Sequence, residues 1–494
     1  MANEYLYGAY GHLGDSVAQN ATQAGTTPVY VGCVPVNLIR GYKDLDIINY
    51  PVKLSNLPNA QQTVGYSSNW DRFSLCEPIN AHFNNTKGNI GPIYVINVLD
   101  PDVHKKEETT TVNLAFSNGR ATIKSDTIIL DTLALEGKAE GTDYAVDYNF
   151  TKGTVIISSI GSTKITGTVT ASYNEVAVTL VEASDIIGGV TANGEYSGLG
   201  ALQLLYQEKY AVCNLLAAPG WSENPEVYNA LITAASKING HWDAFVCADI
   251  PLNDGTDDVD TIAKALTWKD DNGYNNERSK VFWPMAKSND GNIYHLSTLA
   301  MVELMRADYS HDSIPMETCG NKSIPVLAQY FGVNSKNRGF DQVASKELTS
   351  NGISTCVFWG GNWVLWGDHT AGYTYGADID PRCIFDVSMR MLFHITNSFQ
   401  REWGAVIDEP FTIQLRDRIL NAEQEKLDAL VAEGALIGEP AVLFLESENS
   451  TTDMMNGDFR WDIPVTPTPP LKSATVYVAY TDTGFSSYFS DEEE

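Results

Sequence analysis

Residues 210–251, YAVCNLLAAPGWSENPEVYNALITAASKINGHWDAFVCADIP, establish the fold class. An apolar run at 210–220 is followed by a segment of helical periodicity and then by a second apolar run at 243–251. We expect a strand, a helix that begins after Ser222, and another strand. Because continuously apolar strands are buried on both faces, this order predicts a βαβ unit in a parallel sheet.

The same alternation continues on both sides of this unit. Apolar strands are predicted upstream at 27–35 and 91–101 and downstream at 280–286, with helical segments before and after the last of these. We therefore predict a discontinuous parallel α/β core domain made of residues 26–104 and 184–352.

A change in composition separates the two halves of that domain. No proline occurs between Pro101 and Pro219, and residues 105–183 consist of short Thr/Val/Ile runs interrupted by glycines. Many short strands with turn residues between them are typical of a small antiparallel β domain. We predict that residues 105–183 form an inserted β domain.

The last third of the chain mixes strands and helices. The run ISTCVFWGGNWVLWG from residue 353 predicts paired strands that turn at Gly360 and Gly361. Two segments have helical periodicity, and two apolar runs follow the second of them. We predict a C-terminal α+β domain at 353–470, with helices at 386–403 and 411–433, Gly434 as a helix end, and strands at 440–447 and 459–467.

Two terminal arms complete the architecture. Residues 1–25 contain EYLYGAY, and residues 471–494 place ATVYVAY after a stiff proline spacer. A lone β segment must pair either with its own domain or with a sheet edge of a neighbouring molecule, and the residues leave both options open. The candidate residues for strand donation are Tyr5, Leu6, Tyr7, Ala9, Tyr10, Thr475, Val476, Tyr477, Val478, Ala479 and Tyr480.

The net charge argues against binding to nucleic acid or anionic membranes, and the cysteines indicate the compartment in which the protein is made. The net charge of −30 repels nucleic acid and anionic membranes, and it serves either solubility or contact with basic faces of partners. Seven cysteines without a CxxC pair indicate buried, reduced thiols and synthesis in the cytosol. The opening residues do not resemble a signal peptide, and no stretch reaches the roughly 18 apolar residues of a membrane helix.

Enzyme motifs are weak in this sequence. GLGALQ at 198–203 lacks the third glycine of a dinucleotide fingerprint and is interpreted as structural. His369 beside Asp368 could be a catalytic pair, but solvated or capping side chains are the simpler interpretation. The acidic run 253–260 could hold a cation, but acids that favour a helix N-terminus explain it more simply. The alternatives that remain are an α/β hydrolase or nucleotide-binding enzyme with a β insertion, and a surface-layer or adhesive protein.

Several segments resemble the contractile tail sheath proteins of phages, R-type bacteriocins and related contractile injection systems. The resemblance covers nearly all of the chain outside 105–183. One departure is the turn before the second C-terminal helix, which is often rich in asparagine in the family and reads IDEPF here. The segments that carry the resemblance are NWVLWGDHT (362–370), IFDVSMRMLFHITNSFQ (384–400), the helical segment 408–438, DFRWDIPVTPTPPLKSATVYVAY (458–480), TTPVYVGCVPVN (26–37), NLLAAPG (214–220) and CADIP (247–251).

The resemblance implies a structural protein without catalysis, cofactor or metal. Such subunits polymerise as stacked hexameric rings around an inner tube and contract from a metastable extended state to drive the tube through an envelope. The implied partners are further copies of the chain, the inner tail tube protein, and baseplate and tail terminator proteins, without nucleic acid binding or membrane insertion. Assembly would take place in the bacterial host cytoplasm, and the product would be a virion tail or a released phage-tail-like particle.

The resemblance also assigns roles to the parts of the chain. It implies that both arms donate strands to the C-terminal domain of a third subunit, that this domain lies near the tube, and that the inserted β domain faces outward.

Overall fold

The computed structural model describes residues 22–23 and 25–489. In these residues the strands are β1 (Thr22–Gln23), β2 (Pro28–Gly32), β3 (Pro51–Leu54), β4 (Ile90–Gly91), β5 (Ile93–Asn97), β6 (Thr110–Phe116), β7 (Arg120–Lys124), β8 (Ala134–Leu135), β9 (Tyr144–Asn149), β10 (Thr154–Ser159), β11 (Gly167–Tyr173), β12 (Gly189–Val190), β13 (Tyr196–Ser197), β14 (Leu215–Ala217), β15 (Phe245–Asp249), β16 (Ser279–Phe282), β17 (Met285–Ser288), β18 (Ile293–Tyr294), β19 (Val326–Tyr330), β20 (Ile353–Trp359) and β21 (Asn362–Trp366). The helices are α1 (Leu57–Thr63), α2 (Cys76–Phe83), α3 (Ala183–Ile187), α4 (Leu204–Lys209), α5 (Pro225–Ala234), α6 (Ile262–Asp271), α7 (Leu296–Ser310), α8 (Lys346–Thr349), α9 (Asp386–Trp403), α10 (Ile413–Ala432) and α11 (Thr451–Asn456).

An eight-stranded mixed sheet forms the centre of the molecule, in the order β21-β20-β16-β15-β14-β2-β5-β3. The six inner strands run parallel, and β21 and β3 are antiparallel strands at the two edges. Every residue of β2, β5, β14, β15 and β16 is buried. Burial on both faces is why β2, β5, β14 and β15 are mostly apolar in sequence. The mixed α/β fold is therefore confirmed.

The βαβ unit at 210–251 has the predicted order, but its helix begins later than expected. Asn224 is the N-cap of α5, because its side chain accepts a hydrogen bond from the Glu226 backbone N–H and Pro225 takes the first helical position. Ser222 is instead buried, and its hydroxyl accepts a hydrogen bond from the backbone N–H of Asp249 at 3.1 Å. It joins two strand ends rather than capping a helix.

The central sheet extends into the region that we assigned to the C-terminal domain. The β20–β21 hairpin turns at Gly360 and Gly361 as predicted, with φ angles of 60° and 87°. However, β20 pairs in parallel with β16, through Val281 opposite Ile353 and Phe282 opposite Ser354. The expected boundary at residue 353 is therefore wrong for the sheet, which continues to residue 366.

Residues 110–173 form two three-stranded antiparallel-paired sheets, β7-β10-β9 and β6-β11-β8. Their inward side chains make a separate apolar cluster, and among the described residues outside this segment Leu38 contributes to it. Val176 and Val181 are buried in the main core instead. The predicted insert, residues 105–183, therefore includes residues near its end that pack with the central sheet.

Two long helices dominate the C-terminal region. Helix α9 has the predicted bounds, and α10 ends before Gly434, whose φ of 80° is the left-handed conformation that commonly ends a helix. The predicted strands 440–447 and 459–467 are not regular strands. Only isolated bridges join these stretches to partners, Leu443 with Asp462 and Leu436 with Pro467.

Candidate assembly interface

The C-terminal arm is exposed and unpaired within the described chain. Residues 473–480 belong to no helix or strand, and no described residue forms a backbone hydrogen bond with them. Tyr477 is 94% exposed and Val478 is 90% exposed. An apolar stretch of β-favouring residues in this state has open N–H and C=O groups, which is the condition for pairing with another sheet edge.

The root of this arm is held by an aromatic stack. The Lys472 ammonium lies 5.3 Å from the centroid of the Tyr373 ring, and Tyr373 stacks on His369 at a centroid distance of 3.5 Å. His369 in turn stacks on Phe385, which precedes α9, and its Nδ1 is 3.0 Å from the Ile384 carbonyl. The arm therefore leaves the molecule from a defined point beside α9.

A short antiparallel pair lies just before the proline spacer. The backbone N–H of Leu443 donates to the Asp462 carbonyl at 2.8 Å, and the Asp462 N–H donates back at 2.9 Å. This reciprocal pair is flanked by half-buried residues rather than by further ladder bonds. Because the two segments pair at a single position, they form an incomplete sheet. Additional strands could extend it.

An aromatic cluster supports that pair from one side. Phe411 stacks on Phe459 at 3.7 Å, and Phe411 and Phe444 each approach Trp461 within 6 Å. The indole N–H of Trp461 is buried without a hydrogen-bond partner in the described part of the chain. The cluster gives the incomplete pair a rigid backing, as expected from the large contact area of aromatic side chains.

The N-terminal arm leaves the core through a buried polar network. The Thr26 hydroxyl donates to Asp308 at the end of α7 at 2.7 Å, and Asp308 also pairs with Arg390 of α9. The candidate donated residues Tyr5, Leu6, Tyr7, Ala9 and Tyr10 lie outside the described residues. The structure thus places the junction of this arm with the core beside α9, and it pairs Thr22–Gln23 of the arm with Ile90–Gly91 of the same chain.

His369 is neither a solvated side chain nor part of an exposed catalytic pair. It is 3% exposed, burial lowers its pKa below the usual range, and its Nε2 lies 3.6 Å from Asp368. Tyr373 and Phe385 stack on the ring, and its Nε2 is buried without a hydrogen-bond partner among the described residues. The expectation of a solvated side chain is wrong, because Tyr373 and Phe385 enclose the ring.

The acidic loop at 253–260 is organised by its own backbone. Asp254 accepts hydrogen bonds from the N–H groups of Thr256 and Asp257, which lowers the pKa of its carboxyl. Thr261 then caps α6. Among the described residues, no group of three or more His, Cys, Asp or Glu side chains is placed to hold a metal ion.

Glycines in GLGALQ allow close backbone packing. A Cβ on Gly198 would lie 2.4 Å from the carbonyl oxygen of Asp185, and one on Gly200 would lie 2.4 Å from the carbonyl oxygen of Gly189. The segment is a 3-10 helix against α3 and β12 rather than a turn that follows a strand. This geometry agrees with a structural role.

Sequence reasoning missed a charged cluster at the carboxyl end of the sheet. Glu77 accepts both the backbone N–H and the ring Nδ1 of His295, at 2.8 Å and 2.6 Å, and Glu223 lies 3.4 Å from Nε2. Burial lowers the pKa of His295, but Glu77 and Glu223 outweigh it and raise the pKa well above its usual value. The three residues are far apart in sequence, so no local spacing could have indicated them.

Nucleophilic thiols are not available at this edge of the sheet. Burial raises the pKa of Cys76 to about 12 and that of Cys319 to about 11, so both stay protonated at neutral pH. All seven cysteines are free, and six of them are buried. Within the described chain, none of the helices combines the length and apolar character that crossing a membrane requires.

Comparison with known proteins gives a consistent result. No family model matches the sequence. The tail sheath protein of Burkholderia phage BcepMu is 26% identical over 508 aligned residues, which cover 96% of each protein. The major tail sheath protein of Serratia phage KSP20 is 24% identical over 309 residues, which cover 62% of this chain and 73% of that protein.

Two solved structures share the fold over almost the whole chain. One is a chain of the anti-feeding prophage (AFP) baseplate, with a TM-score of 0.56, 13% identity, and coverage of 97% of this chain and 99% of that chain. The other belongs to the sheath complex of an extracellular contractile injection system, PVC, in the contracted state, with a TM-score of 0.52, 11% identity, and coverage of 98% and 100%.

An exposed, unpaired arm on a closed α/β core is a feature by which a subunit can contact further copies of itself. In both comparisons the chain is similar, over nearly its whole length, to proteins of contractile tails and contractile injection systems.

Proposed function

We propose that this chain polymerises as stacked hexameric rings around an inner tube and contracts from a metastable extended state, driving the tube through a target envelope. Head-to-tail contacts that do not close generate helical stacks of this kind. In a lattice with two stable arrangements, small gains in interface free energy at many subunits add together. The contraction therefore needs no nucleotide. The observation that carries the proposal is the exposed, unpaired segment 473–480.

The acceptor for the donated strands is the incomplete pair around Leu443 and Asp462. It has an aromatic backing and one edge, along Trp461 and Ile463, whose backbone N–H groups have no described hydrogen-bond partner, while on its other side the Val442 N–H donates to the Gln424 side chain. The edges of the central sheet are less suitable. Strand β21 is already covered by residues 321–324, because Asn321 and Ile324 donate backbone hydrogen bonds to it. Strand β3 begins with Pro51, which has no N–H to donate. In this arrangement residues 5–10 and 475–480 of two neighbouring copies extend the pair into a larger sheet.

The domain roles follow the same scheme. The inserted β domain, residues 105–183 in the sequence-based division, faces outward, since it has its own apolar cluster and does not contribute strands to the central sheet. The C-terminal region, residues 353–470 in the sequence-based division, lies close to the tube. The arms 1–25 and 471–494 link neighbouring subunits. The partners are the inner tail tube protein, baseplate proteins and a tail terminator.

The particle is a virion tail or a released phage-tail-like particle, assembled in the host cytoplasm. The AFP structure that shares the fold is a baseplate, and the PVC structure is a sheath complex, which agrees with a role in a tail of this type.

Electron microscopy of the purified full-length chain at high concentration tests the proposal. We expect striated hollow tubes of uniform diameter, and we expect none from a variant that lacks residues 472–494. A matched control carries Ser473→Pro, which changes the same arm but keeps both the candidate strand 475–480 and the residues after it. Normal tubes from the longer deletion would contradict strand donation, whereas ligand turnover by a monomer that never polymerises would favour the α/β enzyme.

A further inference from the structure

A cationic hollow lies between α9 and the edge of the central sheet in this strongly acidic molecule. Its cavity volume is about 460 Å³, and its walls include residues 25–27, at the start of the continuously described stretch 25–489. Helix α9 presents one face to it, with residues spaced three or four apart. These residues are Arg390, Phe393, His394, Asn397, Ser398 and Arg401.

Basic groups without acidic partners converge on this hollow. Lys53 of edge strand β3 and Arg401 of α9 are exposed and form no ion pair with a described residue. Lys209 contacts only the Tyr50 side chain, with its ammonium 4.6 Å from the ring centroid. Three cations without a described ion pair therefore line one hollow of a chain that has 62 acidic and 32 basic residues, which suits an anionic ligand.

The acidic residues of the hollow do not cancel these charges. Asp243 is buried and already pairs with Lys237 and Arg278, which lower its pKa against the opposing effect of burial. Asp308 is buried and pairs with Arg390. Among the described lining residues, only Asp312 offers an exposed carboxylate.

Arg390 supplies an independent sign of a missing ligand. Its side chain is 4% exposed and uses Nη2 for Asp308, while Nη1 is buried without a hydrogen-bond partner in the described chain. A buried guanidinium N–H without a partner is costly, since its desolvation is not compensated. Burial lowers the pKa of the neighbouring His394 to about 4, and Arg401 and Arg390 contribute to the shift, so the imidazole is neutral at pH 7 and adds no charge. A carboxylate would satisfy the open guanidinium and the three unpaired cations together.

The rim has an exposed aromatic side chain that suits the same kind of ligand. Tyr210 is 87% exposed and has a φ of 52°, a left-handed conformation that non-glycine residues seldom adopt. The C-terminal arm of this chain ends in SSYFSDEEE, in which aromatic residues are followed by four carboxylates. Tyr488 of that arm is itself 79% exposed and makes no contact with the hollow of its own molecule.

We propose that this hollow is a docking site for the acidic segment 490–494 of a neighbouring copy. The inference rests on the proposed function, because it requires that copies assemble. Thr483–Phe489 form a 3-10 helix, which together with the two residues before it spans about 20 Å and lets the acidic segment reach a site beyond the strand donated by 475–480. The segment then secures the donated strand by charge pairing with Arg390, Arg401, Lys53 and Lys209.

Fluorescence anisotropy with a labelled peptide of residues 481–494 tests the docking site. The partner is the full-length chain, held below the concentration at which it forms tubes. We expect binding at about 50 mM salt that weakens at about 500 mM, as for screened charge pairs. Arg401→Glu weakens binding about tenfold or more, and the matched control Arg338→Glu, an exposed arginine without an ion pair, leaves it unchanged.

A second peptide identifies the chemistry that is recognised. Its four carboxylates are replaced by amides through Asp491→Asn, Glu492→Gln, Glu493→Gln and Glu494→Gln, and we expect its binding to be lost. Equal binding of both peptides, or of the first peptide to wild type and R401E, overturns the proposal. A peptide of residues 1–24 that binds in place of 481–494 also overturns it, because the N-terminal arm would then be the occupant.

Tube formation is scored separately by electron microscopy. Tubes together with absent peptide binding refute the docking site but leave the sheath function intact. Peptide binding without tubes under any condition refutes the proposed polymerisation instead, so the two failures are distinguishable.

Discussion

Lys280 and Asp386 form a fully buried ion pair in which Nζ and Oδ2 are 2.6 Å apart. Lys280 lies on β16 of the central sheet, and Asp386 is the first residue of α9, so the pair fastens the C-terminal helices to the sheet. The Gly367 carbonyl and the Thr318 hydroxyl complete the hydrogen bonding. Burial lowers the pKa of Lys280, but Asp386 outweighs that effect and keeps the pKa raised.

Replacing one member of this pair should destabilise the protein strongly. Asp386→Asn keeps the size of the side chain but leaves the Lys280 ammonium buried without a counter-charge. We expect the free energy of unfolding to fall by about 3–5 kcal/mol. Urea denaturation followed by tryptophan fluorescence measures it, with Lys346→Met, on an exposed lysine, as the control. A loss below about 1 kcal/mol would show that the pair does not fasten the helix.

The His295 cluster predicts a pH dependence of stability. The groups that face the imidazole are Glu77, Glu223 and Asp249, and together they hold its pKa well above 6.5. Because the folded pKa is raised, the stabilisation is fully present below about pH 6.5 and is lost as the pH rises through the folded pKa. The wild type should therefore exceed His295→Gln in stability by about 3 kcal/mol at pH 6, and by less at higher pH.

Urea unfolding at several pH values between about 6 and 10 measures this difference. His241→Gln, on an exposed histidine, is the control and should show no such trend. A wild-type minus H295Q difference that grows with pH would have the wrong sign and would contradict the charged imidazole.

The parts of the fold that follow from local pattern were predictable. Strands β2, β5, β14 and β15 and helix α9 were visible as apolar runs or helical periodicity, because their burial pattern is written into consecutive residues. The pairing of β20 with β16 was not visible, because Ile353 and Val281 are 72 positions apart and nothing local specifies a partner.

The same contrast holds for the interface. The candidate strand at 475–480 was predictable from its β-favouring residues, and in the structure its large side chains are exposed. The incomplete pair at Leu443 and Asp462 could not be told from a regular hairpin in sequence, because both read as apolar, β-favouring runs. The hollow beside α9 joins residues from seven separate stretches, so only the folded chain brings its charges together.

Removing the inserted β domain should leave the rest of the protein folded if the deletion keeps the residues that belong to the main core. The Lys106 backbone N–H donates to the Glu175 carbonyl at 2.9 Å, so a short Gly/Ser linker can replace residues 107–174. The matched variant without 105–183 also loses Val176 and Val181 from the main core, which should cost a further 2–4 kcal/mol or so. Thermal unfolding compares the two variants, and equal stability would place these valines outside the core.

Electron microscopy of the shorter deletion tests the outward orientation of the insert. We expect tubes of the usual helical spacing but smaller outer diameter. Loss of tubes by a variant that is still folded would place the insert at a contact between subunits.

Proline in the C-terminal arm should abolish assembly without changing the stability of the subunit. Tyr477→Pro removes one backbone N–H from the candidate donated strand, and Val476→Pro removes the next one, which points to the opposite side in a paired strand. Because residues 473–480 make no backbone hydrogen bond with the described chain, the free energy of unfolding should change by less than about 0.5 kcal/mol. Electron microscopy should then show that one or both variants form no tubes, while Ser473→Pro, which lies before the donated strand, still does. Tubes from both Y477P and V476P would mean that this segment does not pair with a neighbouring sheet. A large loss of stability in either variant would mean that the segment belongs to the fold of its own subunit.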